Sequence, residues 1–446
     1  MKPRLSHLPS VGLTLLALLL ALPVLALVSA WLHVDHVAIG ILREMWATVL
    51  PDYIWTSLLL CLIVGSGVIF LGTACAAAVV LFDFPMRRTF EWALLLPLAM
   101  PAYVVAYAYT DYLQFSGPLQ SAIRSAWTLE GRVFPEIRNV WGAAFVFIVS
   151  LYPYVYLLVR TALAERATHL MEAARLLGAP LGRRVMRVAL PLARPALAAG
   201  AALALMETLA DYGVSSYFGI QTFTAGVYKA WLVMDNPIAA SQLATLLLLV
   251  VLVLLGLERR AQSRMRFATA RPDRQGAEAQ APRLKGRSAA LAIGLCAAPV
   301  LLGFVLPVAF MFRALLQDDT WNALPWQRFL QWTGTSVSLG LLTAVLAVMI
   351  ALMLGAQARL MPNALNRGLQ SFVGLGYAVP GAVVVVGLLL PVAALQSRWP
   401  QAGLSYWVTA TILGLIWAYL VRFVSVALQS VDRKSTRLNS SHQIIS

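Results

Sequence analysis

Two carboxylates four residues apart, Glu207 and Asp211, stand near the end of an otherwise apolar stretch. On a helix they would sit one turn apart on one face. Ionisable groups held at membrane depth are costly, which points to cation or ligand passage; pairing with polar groups between helices, or a place at the outer interface, would suit them equally. Tyr212, Tyr217 and Tyr228 follow and read as interfacial aromatics rather than ligands. Other chemistries find little support. His33, Asp35 and His36 lie close together, but two histidines and one carboxylate at this spacing form no recognised metal site. Cys61, Cys75 and Cys296 all fall within apolar runs, where a free cysteine behaves as a small hydrophobe. There is no HExxH and no GxSxG, so a membrane enzyme is disfavoured, and no GxxxxGK(S/T) loop for nucleotide.

Whatever these residues do, a membrane bundle must position them. The chain is 60% hydrophobic and 12% charged, where a soluble domain is about 25% charged. Ten runs are long enough to cross ~30 Å of hydrocarbon as helices. They span 11–33, 54–80, 90–110, 139–160, 194–214, 238–257, 288–312, 335–357, 368–395 and 406–428. Backbone polar groups in lipid need internal partners, and these runs lack the alternation of barrel strands. The fold class is therefore all-α, a polytopic integral membrane protein.

The formal charge of +15 does not indicate nucleic acid, because the basic residues gather in alternate loops rather than on one surface. A cytoplasmic N-terminus puts Arg87, Arg88, Arg160, Arg166, Arg175, Arg183, Arg184, Arg187 and Arg194 inside, with the basic segment after Glu258. The intervening loops, 34–53 and 111–138, are nearly charge-balanced. This is the positive-inside pattern of a bacterial inner-membrane protein. The first run, behind Lys2 and Arg4, has a passable cleavage site at Val28-Ser29-Ala30, but it is longer than a usual signal-peptide core.

The halves resemble each other. Thr56 opening the second run recurs as Thr335 in the eighth, and Met100-Pro101-Ala102-Tyr103-Val104-Val105 recurs as Val379-Pro380-Gly381-Ala382-Val383-Val384. The offsets agree, 335 − 56 = 279 and 380 − 101 = 279, which is the mark of an internal duplication. With an even number of crossings per half the repeat is parallel, and a path between two related bundles is a natural crossing point for substrate. The expected layout is a first six-helix domain over 1–257 and a polar, flexible linker over 258–287. A four-helix second domain over 288–431 and a tail over 432–446 complete it.

The most polar part of the chain is MEAARLLGAPLGRRVMRVALPLARP, residues 171–195, between the fourth and fifth runs. Thr168 suits a helix cap, Met171 to Leu177 favour helix, and Gly178 is a stop signal. A second short helix can start with Pro180 in its first turn. Leu181, Val185 and Val188 would then share one face and Arg183, Arg184 and Arg187 the other. Two short helices joined at a small residue make a stiff element able to transmit force. The same residues would also suit an amphipathic helix lying on anionic headgroups.

Glu172-Ala173-Ala174, Gly178 and Leu190-Pro191 resemble the EAA loop of ABC importer permeases, and Val188-Ala189-Leu190-Pro191 completes that pattern. The resemblance implies a type I permease fold with no cofactor of its own. Its partners would be an ATP-binding cassette homodimer, a periplasmic substrate-binding protein and the lipid bilayer. In that family the loop couples to the ATPase: Glu172 would be the acidic contact, Ala173 and Ala174 the small faces, Gly178 the bend, and Leu190 and Pro191 the lead into the fifth span. Residues 207–231, ETLADYGVSSYFGIQTFTAGVYKAW, are similar to ferric-iron permeases, and thiamine, phosphonate, sulfate and polyamine permeases share the architecture.

The second half departs from the pattern. Alignment places its coupling glutamate near 437 or 438, where Arg437 and Leu438 stand in the abruptly polar DRKSTRLNSSHQIIS. That stretch reads as foreign sequence. An ion-gradient-driven carrier, with 163–195 as an ordinary surface loop, is the rival function.

Overall fold

The computed structural model describes residues 8–33, 36–164, 168–267, 282–317, 325–360 and 364–442. Asp35, most of the linker (268–281) and the last four residues lie outside these, so the metal reading at Asp35 and the linker's expected flexibility receive no structural account.

The helices, in chain order, begin with α1 (Leu8–Ala30), α2 (His36–Thr48), α3 (Leu50–Leu81), α4 (Arg87–Ala93) and α5 (Ala102–Leu113). Next come α6 (Pro118–Trp127), α7 (Val140–Ala162), α8 (Thr168–Leu176), α9 (Leu181–Arg184) and α10 (Leu190–Ala210). They continue with α11 (Gly213–Phe218), α12 (Phe223–Tyr228), α13 (Pro237–Phe267), α14 (Arg287–Val300) and α15 (Leu306–Gln317). The last are α16 (Trp326–Leu360), α17 (Ala364–Val373), α18 (Gly381–Arg398), α19 (Leu404–Thr409) and α20 (Ile412–His442). No strand forms among the described residues; one isolated bridge joins Asp83 to Arg283.

Eight of the described helices are long and apolar enough to cross a membrane, and ten crossings result if each of two bent pairs is one span. A candidate span falls at each of the ten expected runs, with three corrections. The ninth, expected as continuous over 368–395, is interrupted by a tight turn at Gly376–Ala378, and its span is Gly381–Arg398. The third, expected as a continuous helix over 90–110, is bent by 86° between Arg87–Ala99 and Ala102–Trp127. Pro97 and Pro101 each remove a backbone donor, and the chain between them leaves α-geometry for a tight turn at Leu96–Ala99. The tenth, expected over 406–428, is bent by 60° between α19 and α20. Beside that bend the Thr409 and Thr411 hydroxyls donate back to the Ser405 and Trp407 carbonyls, which bends helices.

The two prolines matched by the 279-residue offset have similar local geometry. Pro101 precedes α5 with φ −58° and ψ 137°, and Pro380 precedes α18 with φ −58° and ψ 146°. Each follows a tight turn, Leu96–Ala99 in one half and Gly376–Ala378 in the other.

The chain forms two compact units. One holds Pro51–Ala225 with Leu252–Asn322, the other Met1–Leu50 and Gly226–Val251 with Ala323–Ser446. The first is built around α7. Glycines let neighbouring backbones approach it: a Cβ at Gly72 of α3 would lie 2.8 Å from Val155 Cβ, and one at Gly200 of α10 would lie 2.7 Å from Val155 Cα. Small residues at helix crossings are how membrane helices gain packing without a hydrophobic driving force between them. Phenols rivet α4 to α7, since Tyr152 Oη donates to the Leu94 carbonyl at 2.9 Å and Tyr156 Oη to the Glu91 carbonyl at 3.2 Å. On the opposite flank Tyr109 Oη donates to the Leu302 carbonyl at 2.7 Å, and Tyr112 stacks on Phe310. Cys75 and Cys296 are fully buried here as free thiols, with Cys75 Sγ donating to the Leu295 carbonyl. The second unit packs α1 against α18 and α16 against α20; Trp417 Nε1 donates to the Leu19 carbonyl, and the Ser425 hydroxyl accepts from the Tyr377 amide.

Tyr152 is wholly buried, so Tyr152→Phe deletes its hydrogen bond while keeping the ring. The expected cost is about 1 kcal/mol, read as a lowered thermal midpoint of the detergent-purified chain, with the oligomeric profile unchanged.

Candidate functional site

From Thr168 the loop after α7 forms two helical arms that meet at a bend at Gly178, with one difference from expectation in the second arm. Helix α8 ends where Gly178 adopts φ +80°. The Gly178 amide donates to the Arg175 carbonyl at 2.9 Å and the Ala179 amide to the Ala174 carbonyl at 3.0 Å. This pair of bonds is a Schellman closure, which places a glycine at the left-handed position and satisfies the last carbonyls of the helix. Pro180 is the residue before α9 rather than its first turn. From Leu181 the chain does not form a separate short helix: α9 passes through a π-helical turn, Val185–Ala189, and runs on into α10 as one 30-residue helix to Ala210. The cause is Pro191, which cannot donate to the carbonyl four residues back; the wide turn just before it absorbs the mismatch, with the Leu190 amide donating to the Val185 carbonyl.

The elbow's faces divide largely as the pattern implied. Leu181, Val185 and Val188 pack against the core of the α7 unit, and Arg183 and Arg187 are exposed. Arg184 does not follow them: it is half-buried, with Nη1 3.4 Å from the Met171 carbonyl, and so ties the second arm to the first. Met171 is buried and seats α8. Glu172, Ala173 and Ala174 lie on α8, Ala173 exposed and Ala174 half-buried. Leu190 and Pro191, both half-buried, begin α10. At the tip Leu176 and Leu177 are 85% and 88% exposed. Sequence reasoning counted these two only as helix formers, although adjacent leucines in the most polar stretch of the chain were a usable signal.

Glu207 and Asp211 are arranged differently from the expected pair. Glu207 is half-buried in the last turn of α10, but that helix ends at Ala210 and Asp211 has φ −74° and ψ 124°. The two therefore do not share a helical face. Asp211 instead starts the next element: its Oδ1 accepts from the Val214 amide at 2.7 Å, and its carbonyl accepts from the Ser215 hydroxyl at 3.3 Å. A short aspartate side chain in this position satisfies an amide at the start of α11, as an N-terminal cap does. Tyr217 is held by Arg138, whose Nη2 and Nε donate to its carbonyl at 2.7 and 3.2 Å, and its ring lies 6.0 Å from Tyr107. Tyr212 is exposed, and Tyr228 closes α12 half-buried.

The root of the elbow carries a charged contact that the sequence did not single out. Arg160, in the last turn of α7, places Nη2 3.0 Å from Glu91 Oε2, and Arg87 Nε lies 3.7 Å from Glu91 Oε1.

Eight to ten candidate crossings, all helical, among the described residues define a polytopic helical membrane protein. Residues 68–267 match the family model described as binding-protein-dependent transport system inner membrane component. The chain is 30% identical over 232 residues to the probable sulfate transport system permease protein cysT of Chlorokybus atmophyticus, covering 48% of this chain and 74% of that protein. It belongs to this family of ABC importer permeases. It is also 26% identical over 252 residues to the Fe(3+)-transport system permease protein FbpB 2 of Haemophilus influenzae, covering 56% of this chain. The chain spans 46%, less than half, of that relative's length. A protein of Salmonella choleraesuis, provisionally named 2-aminoethylphosphonate transport system permease protein PhnU, is 26% identical over 202 residues, 45% of this chain and 71% of that one.

Proposed function

We propose that this chain is the membrane-spanning, non-catalytic subunit of an ATP-driven importer, fed by a periplasmic binding protein and moving ferric iron across the inner membrane. The observation that carries the reading is the elbow: a glycine-closed helix whose tip exposes Leu176 and Leu177, rooted by a continuous helix from Leu181 to Ala210. Two leucines bared to solvent on the arginine-rich side of the bundle suit burial by another protein. Under this reading that protein is the separate ATPase homodimer, since the chain has no phosphate-binding loop of its own. The halves over 1–257 and 288–431 are then the two permease domains, joined by 258–287, with the N-terminus in the cytoplasm.

Iron is the substrate we favour among those the relatives' names carry. Residues 207–231 resemble ferric-iron permeases, and the half-buried Glu207 carboxylate suits a cation better than sulfate, which would meet like charge. The test is co-expression with the ATPase and binding protein encoded beside the gene. Ferric-loaded binding protein is expected to stimulate ATP hydrolysis, sulfate and 2-aminoethylphosphonate are not, and Glu172→Arg is expected to remove the stimulation. Failure of any ATPase to co-purify would overturn the reading, and stimulation by sulfate would overturn the substrate.

A further inference from the structure

The charged contact at the elbow's root does something the rest of the α7 packing does not. Glu91 stands on α4, and Arg160 and Arg87 converge on its carboxylate at 3.0 and 3.7 Å. The glutamate side chain is 24% exposed and that of Arg160 31%, so the pair is partly desolvated and charge-assisted. Its position matters more than its strength. Arg160 lies at the end of α7, from which the chain turns into the elbow, while α4 leads through the Leu96–Ala99 turn into the 86° bend at Met100–Pro101. One carboxylate thus joins the root of the elbow to the broken span.

Attachment of α4 to α7 does not require this pair. The phenols of Tyr152 and Tyr156 already bond α4 carbonyls, and Phe90 and Leu94 are buried. The duplication supplies an internal comparison. The residue 279 positions after Glu91 is Gln370 (91 + 279 = 370), on α17 ahead of the matching turn. Gln370 Nε2 donates to the Leu354 carbonyl at 2.8 Å, and among the described residues no ion pair forms there. The charged link therefore occurs in the half that carries the EAA-like elbow.

We propose that Glu91 is a coupling brace, a positioning residue that makes the elbow root and the bent span move as one body. This rests on the function proposed above. A push on the elbow tilts the end of α7; with Arg160 held by Glu91 the tilt is passed to α4 and changes the angle at Pro101, and without the pair the phenols keep α4 attached but the last turn of α7 at Arg160 tilts without carrying α4 with it.

Two measurements decide it. In the full chain with its ATPase, Glu91→Gln is expected to leave ATPase binding and basal hydrolysis unchanged while substrate-stimulated hydrolysis falls roughly tenfold. Arg160→Gln should do the same, the double variant should be no worse than either single one, and Arg160→Lys should keep most of the stimulation. Full stimulation in Glu91→Gln, or additive losses in the double variant, would overturn the brace. The second measurement needs no partner. In the purified chain, Glu91→Gln should raise amide hydrogen exchange both in Arg87–Ala99 and in the elbow helix Thr168–Leu176. A rise confined to Arg87–Ala99 means local attachment only and sinks the proposal. A wild-type chain that binds no ATPase would sink the function instead, and the exchange result would still decide whether the two segments are linked.

Discussion

Replacing Leu176 and Leu177 together by aspartate is expected to abolish capture of the ATPase while leaving the permease folded. Both side chains are more than four-fifths exposed in the chain alone, so folding gains almost nothing from them. Burial in a partner's cleft would stabilise the complex by roughly 1.5–3 kcal/mol for each leucine. Aspartate removes that gain and adds the penalty of desolvating a charge. Losses of this size are those of interface hot spots, and two of them weaken association at least ~100-fold. Gly178 makes the effect local, because its left-handed conformation ends the helix and presents the pair at a fixed angle. Titration of the ATPase against wild-type and Leu176→Asp/Leu177→Asp chains in nanodiscs checks the prediction, with the thermal midpoint as the folding control. Undiminished affinity would mean the tip lies against something else, and the anionic headgroups considered for this stretch would be the first alternative to test.

Features set by composition and period were readable in the sequence, and features set by single backbone atoms were not. Uncharged length located the candidate crossings, because spanning the hydrocarbon as a helix takes about 20 apolar residues. The 279-residue offset located Pro101 and Pro380, which share nearly the same backbone angles. Gly178 was legible as a bend because only a residue without Cβ takes that conformation freely. Pattern also offered a second elbow helix, but Pro191 is satisfied by a π-helical turn that keeps α9 and α10 continuous. It likewise placed Asp211 one turn beyond Glu207, an inference that holds only if the helix reaches so far. The helix stops at Ala210, and Asp211 bonds the Val214 amide instead. The Glu91–Arg160 contact joins residues 69 apart, and no local period could report it.

Gly200→Leu is expected to prevent the α7 unit from assembling. A Cβ on Gly200 would stand 2.7 Å from Val155 Cα and 3.2 Å from the Tyr154 carbonyl oxygen, both backbone atoms of α7. A flexible side chain could swing away from such a contact, but here α10 and α7 must separate. Helix α3 packs closely on the same residue: a Cβ at Gly72 would lie 2.8 Å from Val155 Cβ and 2.9 Å from the Tyr152 carbonyl. Helix α7 is thus approached at Val155 by two glycines, and displacing it also pulls the Tyr152 and Tyr156 phenols from their carbonyls at Leu94 and Glu91. Overpacking alone costs about 1–3 kcal/mol, and loss of either phenol bond adds about 1 kcal/mol. The sum is a large share of the 5–15 kcal/mol that typically separates folded from unfolded protein. Gly256→Leu is the matched control, since a Cβ there meets nothing within 4 Å and the residue is exposed on α13. Fluorescence-detected gel filtration of the two variants should show the Gly256 variant eluting as wild type and the Gly200 variant aggregated or absent. A Gly200→Leu chain that elutes as a monodisperse peak with wild-type thermal midpoint would show that α7 is not gripped at Val155.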